Sequence, residues 1–278
     1  MIKAKLLPLT RLGIYLLLLC ASNLNAAPAL NVVIPPLEPD ATPQYRYFYT
    51  LLELALKKTE KAEGPVKISY ASATFTTERY LAELSNNNTI DVLWTMGNKK
   101  REQNLLPVRI SLLRDLNSYR VLLIRKEDRE KFAKIQTLDE LRALKAGLGS
   151  QWPDTEIMRN NNFTVITSMQ YDSLFKMLVA KRFDFFSRGL YEAWNEAEVH
   201  KDKNIVIEDH IMLFYNAPFY YFVNKKNKAL AERIERGLKM AQADGSFDEL
   251  FFSIPGFRRG TDEQYNNKRL LFRLESED

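Results

Sequence analysis

The sequence predicts an α/β protein of two lobes, each a parallel or mixed sheet flanked by helices. Three observations predict it. Short apolar runs alternate with segments of helical period from residue 31 to residue 241, the pattern of strands joined by helical crossovers. The second half of the chain repeats the architecture of the first. Beyond an N-terminal address segment, about 250 residues are left, enough for two modest cores.

The address segment comes first. Lys3, Lys5 and Arg11 precede an apolar run over residues 12–20, and the stretch closes on Asn25, Ala26 and Ala27. A basic start, a short apolar core and a small-residue end describe a secretory signal peptide over residues 1–26. The run is shorter than the roughly 20 apolar residues a spanning helix needs. The only cysteine, Cys20, lies inside it behind Leu18 and Leu19, where lipidation would want small residues. The expectation is therefore a periplasmic protein with no lipid anchor, no disulfide and no cysteine-based site. Losing Lys3, Lys5 and Arg11 takes the formal charge from +5 to +2, which weakens any nucleic-acid reading.

Residues 31–34 read as a buried strand ending at Pro35 and Pro36. Leu51, Leu52, Ala55 and Leu56 fall at helical spacing, and Gly64-Pro65 ends that helix. Residues 66–70 alternate as a strand. Thr76 or Thr77 caps a helix with Tyr80, Leu81 and Leu84 inward, and residues 90–95 form the next strand. In the second half residues 121–124 are a strand, and Thr137-Leu138-Asp139-Glu140 is a capping box. Residues 145–149 run into a glycine-bearing turn, with Pro153 suited to a first helical turn. A strand over 163–167, a helix over 174–179 and a strand over 183–187 follow; residues 205–207 lead to an apolar stretch over 211–215, and after Pro218 comes a strand over 219–223. The last long helix places Leu230, Ile234, Leu238 and Ala241 on one face and stops at Asp244-Gly245. A polar, basic tail ends in a Leu270-Leu271-Phe272 cluster.

Four stretches in this order carry a resemblance. They are Asn98-Lys99-Lys100-Arg101; Leu138-Asp139-Glu140-Leu141 with residues 145–150; Leu178-Val179-Ala180-Lys181-Arg182-Phe183-Asp184; and residues 230–234 continuing to Asp244-Gly245-Ser246-Phe247. Together they resemble the family 3 extracellular solute-binding proteins. The resemblance implies a type II periplasmic binding protein fold, two lobes joined by two crossing strands. Lobe 1 would hold residues 27–124 and 222–278, lobe 2 residues 125–221, with crossings at 121–125 and 220–224. Ligand would sit between the lobes, where open α/β sheets bind at strand carboxyl ends.

The resemblance places Arg101 where amino-acid receptors hold the ligand carboxylate. The chain departs from the family twice. Leu106-Pro107-Val108 stands in place of the usual Phe-Ser-x-Pro-Tyr, and Gly189 falls where the acidic partner of the ligand ammonium is expected, with Glu192 one helical turn on. Candidate ligand contacts are Arg101, Arg188, Glu192, Ser150, Trp152, Trp94, Thr95, Tyr45 and Tyr47. Guanidinium groups make two-pronged contacts with anions, so Arg101 and Arg188 suggest a polar or anionic ligand. Against this, Arg101 adjoins Lys99 and Lys100 in what reads equally as a solvated loop, and Arg188 can simply pair with Glu192. Ser150, Trp152 and Asp154 at a helix start favour an anion or a flat ligand on Trp152; Asp154 as a helix cap with Trp152 packed inward is the other reading. Tyr45, Tyr47, Trp94 and Thr95 are placed by their position at loop ends.

Catalysis finds no equipment. His200 and His210 are the only histidines and lack metal-site spacing. No serine elbow, phosphate loop or dinucleotide fingerprint occurs, so no cofactor or metal is expected. The expected function is capture of a small solute, by a monomer, for an ABC-type importer. A sensing module acting in trans on a membrane signalling partner is the alternative, and a lyase or hydrolase on the same scaffold is an outsider.

Overall fold

A computed structural model describes residues 29–37, 42–266 and 268–276. The expected signal peptide lies outside them. In chain order the elements are β1 (Leu30–Ile34), α1 (Pro43–Glu63), β2 (Val66–Tyr70), α2 (Thr77–Ser85), β3 (Val92–Met96), α3 (Lys99–Asn104), β4 (Leu105–Val108) and β5 (Tyr119–Arg125). There follow α4 (Arg129–Ala133), α5 (Leu138–Arg142), β6 (Lys145–Gly149), α6 (Pro153–Asn160), β7 (Thr164–Ser168), α7 (Tyr171–Val179), β8 (Phe185–Gly189) and α8 (Ala193–Val199). The chain closes with β9 (Ile205–Ile207), β10 (Ile211–Phe214), β11 (Phe219–Asn224), α9 (Lys228–Ala243), α10 (Ser246–Ser253), α11 (Pro255–Tyr265) and β12 (Leu270–Arg273).

Local chemistry sets many of these limits. Thr42 accepts the Tyr45 N–H ahead of Pro43 at the start of α1, and Gly64, at φ 82°, ends the helix. Thr76 caps α2. Thr137 and Glu140 form the capping box expected from their spacing. Asp154 does not cap α6: Trp152 occupies that position and no side chain caps the helix. Residues 98–101, read as a loop, open α3, because the Asn98 side chain accepts the Arg101 N–H at 2.8 Å.

The first lobe carries β1 parallel to β2, and β3 and β4 on either side of β11. Asp91 sews these groups together. It accepts the Val33 N–H on its carboxylate at 2.8 Å and returns its own N–H to the Val33 carbonyl at 2.7 Å. The departure at Leu106-Pro107-Val108 is therefore a strand, β4, paired with β11. The second lobe holds seven strands in the order β12-β10-β5-β8-β6-β7, with β9 also on β5. Two large buried clusters form, and a smaller third packs Tyr80, Leu81 and Leu84 of α2 against Leu93 and Phe222. One packs Leu51, Leu52 and Ala55 of α1 against Ile234, Leu238 and Ala241 of α9. The other gathers Phe132, Phe163, Phe175, Phe185 and Phe186 about β6 and β8. These are two mixed α/β layers rather than one undivided sheet.

The sheets correct the expected lobe limits in two places. β5 belongs wholly to the second sheet and β11 wholly to the first, so the chain passes between lobes just before each strand. There Asn117 donates to the Ala217 carbonyl at 2.7 Å, and the Ala217 N–H donates to the Ser118 hydroxyl at 3.1 Å. A strand paired along its whole length moves with its sheet, which puts any hinge outside it. The terminal cluster, expected in lobe 1, forms β12 beside β10 in the second sheet. Phe272 and Leu274 pack into the second core, and the Asn161 side chain exchanges two hydrogen bonds with the Glu275 backbone, at 2.8 and 3.0 Å. Asn161→Ala is expected to cost about 1–2 kcal/mol and to expose the tail to protease; an unchanged melt and digestion pattern would mean the tail is held elsewhere.

Candidate ligand-binding site

A cleft of about 750 Å³ lies between the lobes. The period of α1 turns Tyr45 and Phe48 onto it, while Trp94 and Thr95 come from the end of β3. Across the cleft stand Ser150, Trp152 and Asp154 at the start of α6, Arg120 at the start of β5, Arg188 at the end of β8, and Glu192 and Glu196 at α8.

Arg101 lines the first-lobe wall with its side chain 9% exposed. It donates to the Thr95 hydroxyl at 2.9 Å, to the Met96 carbonyl at 2.8 Å and to Glu78 at 3.2 Å. Burial holds its guanidinium below the ordinary value, against the pull of Glu78. It is thus a fixed group of the cleft and not part of a solvated loop.

Arg188 is buried and grips Glu196 with two parallel bonds, at 2.7 and 2.6 Å, while Glu192 stands 2.8 Å from the same guanidinium. The rings of Trp152 and Phe186 lie 4.8 Å from it. Burial works against its charge, but Glu192 and Glu196 outweigh that and hold its pKa well above the ordinary value. The ion-pair reading of Arg188 therefore applies, and its charge is matched from within. Trp152 stacks on Phe186 with ring centres 6.0 Å apart. Gly149 permits that placement, since a Cβ there would meet the indole at 2.4 Å.

Two expectations are corrected. Tyr47 is core: it is 1% exposed, its hydroxyl donates to the Leu112 carbonyl at 2.7 Å, and Phe257 packs edge-on to it. The turn at residues 150–155 is no open anion site, because the N–H groups of Ser150, Trp152 and Thr155 already donate to backbone carbonyls. Its helix start instead meets Asp154, which pairs with buried Arg120 at 2.7 Å and accepts the Tyr215 hydroxyl at 2.6 Å.

Sequence reasoning missed Arg120, Glu196, Tyr191 and the site role of Asp154. The available signal was an arginine set into the apolar strand Tyr119–Arg125, where a charge must find a partner. Among the described residues no group of three metal-ligating side chains occurs. Among the described residues, the charged side chains lining the cleft are three arginines (Arg101, Arg120, Arg188) and four carboxylates (Glu78, Asp154, Glu192, Glu196), with no lysine or histidine.

No protein-family model matches the chain, and no curated protein does. Solved structures do match. An ancestral arginine-binding protein bound to arginine is 16% identical, with 81% of this chain and 97% of that one covered and a TM-score of 0.61. An amino-acid ABC transporter substrate-binding protein of Streptococcus pneumoniae bound to L-arginine is 13% identical, covering 84% and 95%, with a TM-score of 0.59. A histidine kinase sensor domain with similarity to periplasmic binding proteins is 12% identical, covering 82% and 96%, with a TM-score of 0.58.

The fold is that of the periplasmic binding proteins. At these identities the likeness carries the two-lobed type II architecture and nothing of the ligand. Within that fold the observed cleft occupies the interlobe position, and both lobes contribute polar groups to it.

Proposed function

We propose that the protein is an exported receptor that captures a small polar solute between its lobes and passes it to an ATP-driven importer. The observation that carries this reading is the interlobe cleft, with Arg101 fixed on one wall and Arg120, Arg188, Glu192 and Glu196 on the other. Closure would follow because a ligand touching both walls gains contacts that an open form lacks. Export would use residues 1–26 as a cleaved signal, leaving a periplasmic monomer. Among the described residues no helix is long and apolar enough to cross a membrane. With Arg188 matched by Glu192 and Glu196, its presence gives no support to the anionic class.

A second reading is favoured by the sensor-domain neighbour: the same closure would inform a membrane signalling partner in trans. Ligand-dependent uptake into cells separates import from signalling. Chemistry on the ligand is the least supported reading, since the cleft carboxylates are engaged with arginines and tyrosines.

A thermal-shift screen against amino acids, organic acids, peptides and sugars tests the proposal. A ligand at 100 times its Kd adds about 2.7 kcal/mol of stability. Arg101→Ala is expected to abolish that shift. A full shift in the variant would leave Arg101 as a strut between Thr95 and Glu78.

A further inference from the structure

We propose that α11 and the chain that follows it form a third connection between the lobes, a clasp pinned by Arg269 that limits how far the cleft opens. The inference goes beyond the binding reading and holds whether closure serves import or signalling. It comes from contacts that a receptor hinged only ahead of β5 and β11 would not need.

One face of α11 belongs to the first lobe. Phe257 is fully buried there, its ring centre 4.8 Å from that of Tyr47 in α1 and 5.0 Å from that of Phe251 in α10. One turn on, the same helix meets the second lobe. A Cβ on Gly260 would stand 2.6 Å from the carbonyl oxygen of Leu190, in the turn after β8. The Arg259 guanidinium lies 5.2 Å from the ring centre of Trp194 on α8. Tyr191 of the same turn lines the cleft, so α11 backs the wall that a ligand would touch.

Beyond α11 the chain enters the second sheet as β12, beside β10. Arg269 stands at this passage with its side chain 7% exposed. Its Nε donates to Glu263 of α11 at 2.6 Å, and its Nη1 donates to the Glu208 carbonyl and, at 3.4 Å, to that of Ile211, where β10 begins. The Glu208 carboxylate, 3.9 Å away, accepts the N–H groups of His210 and Ile211 at 2.7 and 2.6 Å. Arg269 thus joins a helix of the first core to a strand of the second sheet. A charge placed this deeply must keep its partners, since losing one leaves it unpaired and poorly solvated.

The position of these contacts gives them leverage. The first two connections meet at one spot, where Asn117 and Ser118 bond Ala217, and a single spot can act as a pivot. The second sheet runs β12-β10-β5-β8, and the chain enters it from that spot at the start of β5. β12 lies two strand spacings, about 10 Å, to one side of β5. Leu190 follows β8, the neighbour on the other side. Attachments on both sides of a pivot oppose rotation about it. A wide opening would have to part Gly260 from Leu190 or Arg269 from Glu263. Restraint of this kind keeps the binding-competent form populated before ligand arrives, which lowers the cost of selecting it.

Distance measurement between two spin labels tests the clasp. Residues 27–278 hold no cysteine, so Ala82→Cys with Glu156→Cys supplies the only two labelled sites. They lie on α2 and α6, which line one interlobe groove from opposite lobes. The ligand-free parent is expected to give one main distance, with any longer population below about a tenth. Arg269→Gln is expected to raise the ratio of longer to shorter distances at least about tenfold. Glu263→Ala, at a part-exposed helix position that suits alanine, releases the same tie from its other end and is expected to act alike. It keeps the test decisive if Arg269→Gln does not fold. A broad spread of distances already present in the parent would overturn the clasp. So would distances unchanged in the variants, whatever their melting temperatures, and Arg269 would then be a local stabiliser of the turn into β10.

Discussion

Asp154→Ala is expected to destabilise the protein by about 3–5 kcal/mol, a range set by stranding an unpaired buried charge. Arg120 beneath it is 3% exposed, and Asp154 is its close counter-ion at 2.7 Å, with Glu192 at 3.9 Å too far to replace it. The Tyr215 hydroxyl, fully buried, loses its acceptor in the same substitution. The double replacement Arg120→Met with Asp154→Leu is expected to cost markedly less, because it removes both charges at once. Urea denaturation of the three variants checks the order, and equal losses would mean the pair is not coupled. The effect has a defined pH window. Burial alone would raise the Asp154 carboxyl, but Arg120 and Tyr215 outweigh it and hold the group below its ordinary value. A depressed carboxyl stabilises above the unfolded value near pH 4, and that contribution is lost as pH falls through the folded value. The gap between parent and Asp154→Ala should therefore narrow in acid.

Gly237→Ala is expected to cost about 3 kcal/mol, or roughly 6–12 °C in Tm. In an isolated helix the same change would stabilise by about 1 kcal/mol, so the sign itself is the test. α9 crosses α1 so closely that a Cβ on Gly237 would stand 1.9 Å from the Ala55 carbonyl oxygen and 2.5 Å from its carbon. Those are backbone atoms and cannot turn aside as a side chain would. Separating the helices would loosen Leu51, Leu52, Ile234 and Leu238, which are all fully buried between them. A melting temperature that rises instead would place the two helices farther apart than described here.

Much of the architecture is legible in short stretches of sequence. Thr137 and Glu140 announce a helix start because both halves of the capping box lie within four residues. Val66–Tyr70 and Lys145–Gly149 form at the limits read from their apolar pattern and flanking turns. The site is less legible. Tyr45 and Tyr47 look equivalent in sequence, yet they stand about 200° apart around α1. One reaches the cleft and the other the core. Arg188 reads either as a ligand contact or as a partner of Glu192, yet Glu196, eight residues on, folds back and takes it with both oxygens. Arg120 and Asp154, 34 positions apart in the numbering, carry no mutual mark at all.

By itself the sequence determined the fold class, the alternation of strands and helices, the capping box at Thr137 and the two-lobed organisation. Each of these rests on periodicity and on contacts within a few residues. Only the tertiary structure decided where the lobes divide, that the terminal strand β12 joins the second sheet, and which charges in the cleft are already matched. Those outcomes depend on pairings between distant segments in a buried, weakly screening environment. There the energy of a charge is set by its neighbours in space, and its neighbours in sequence say little about them.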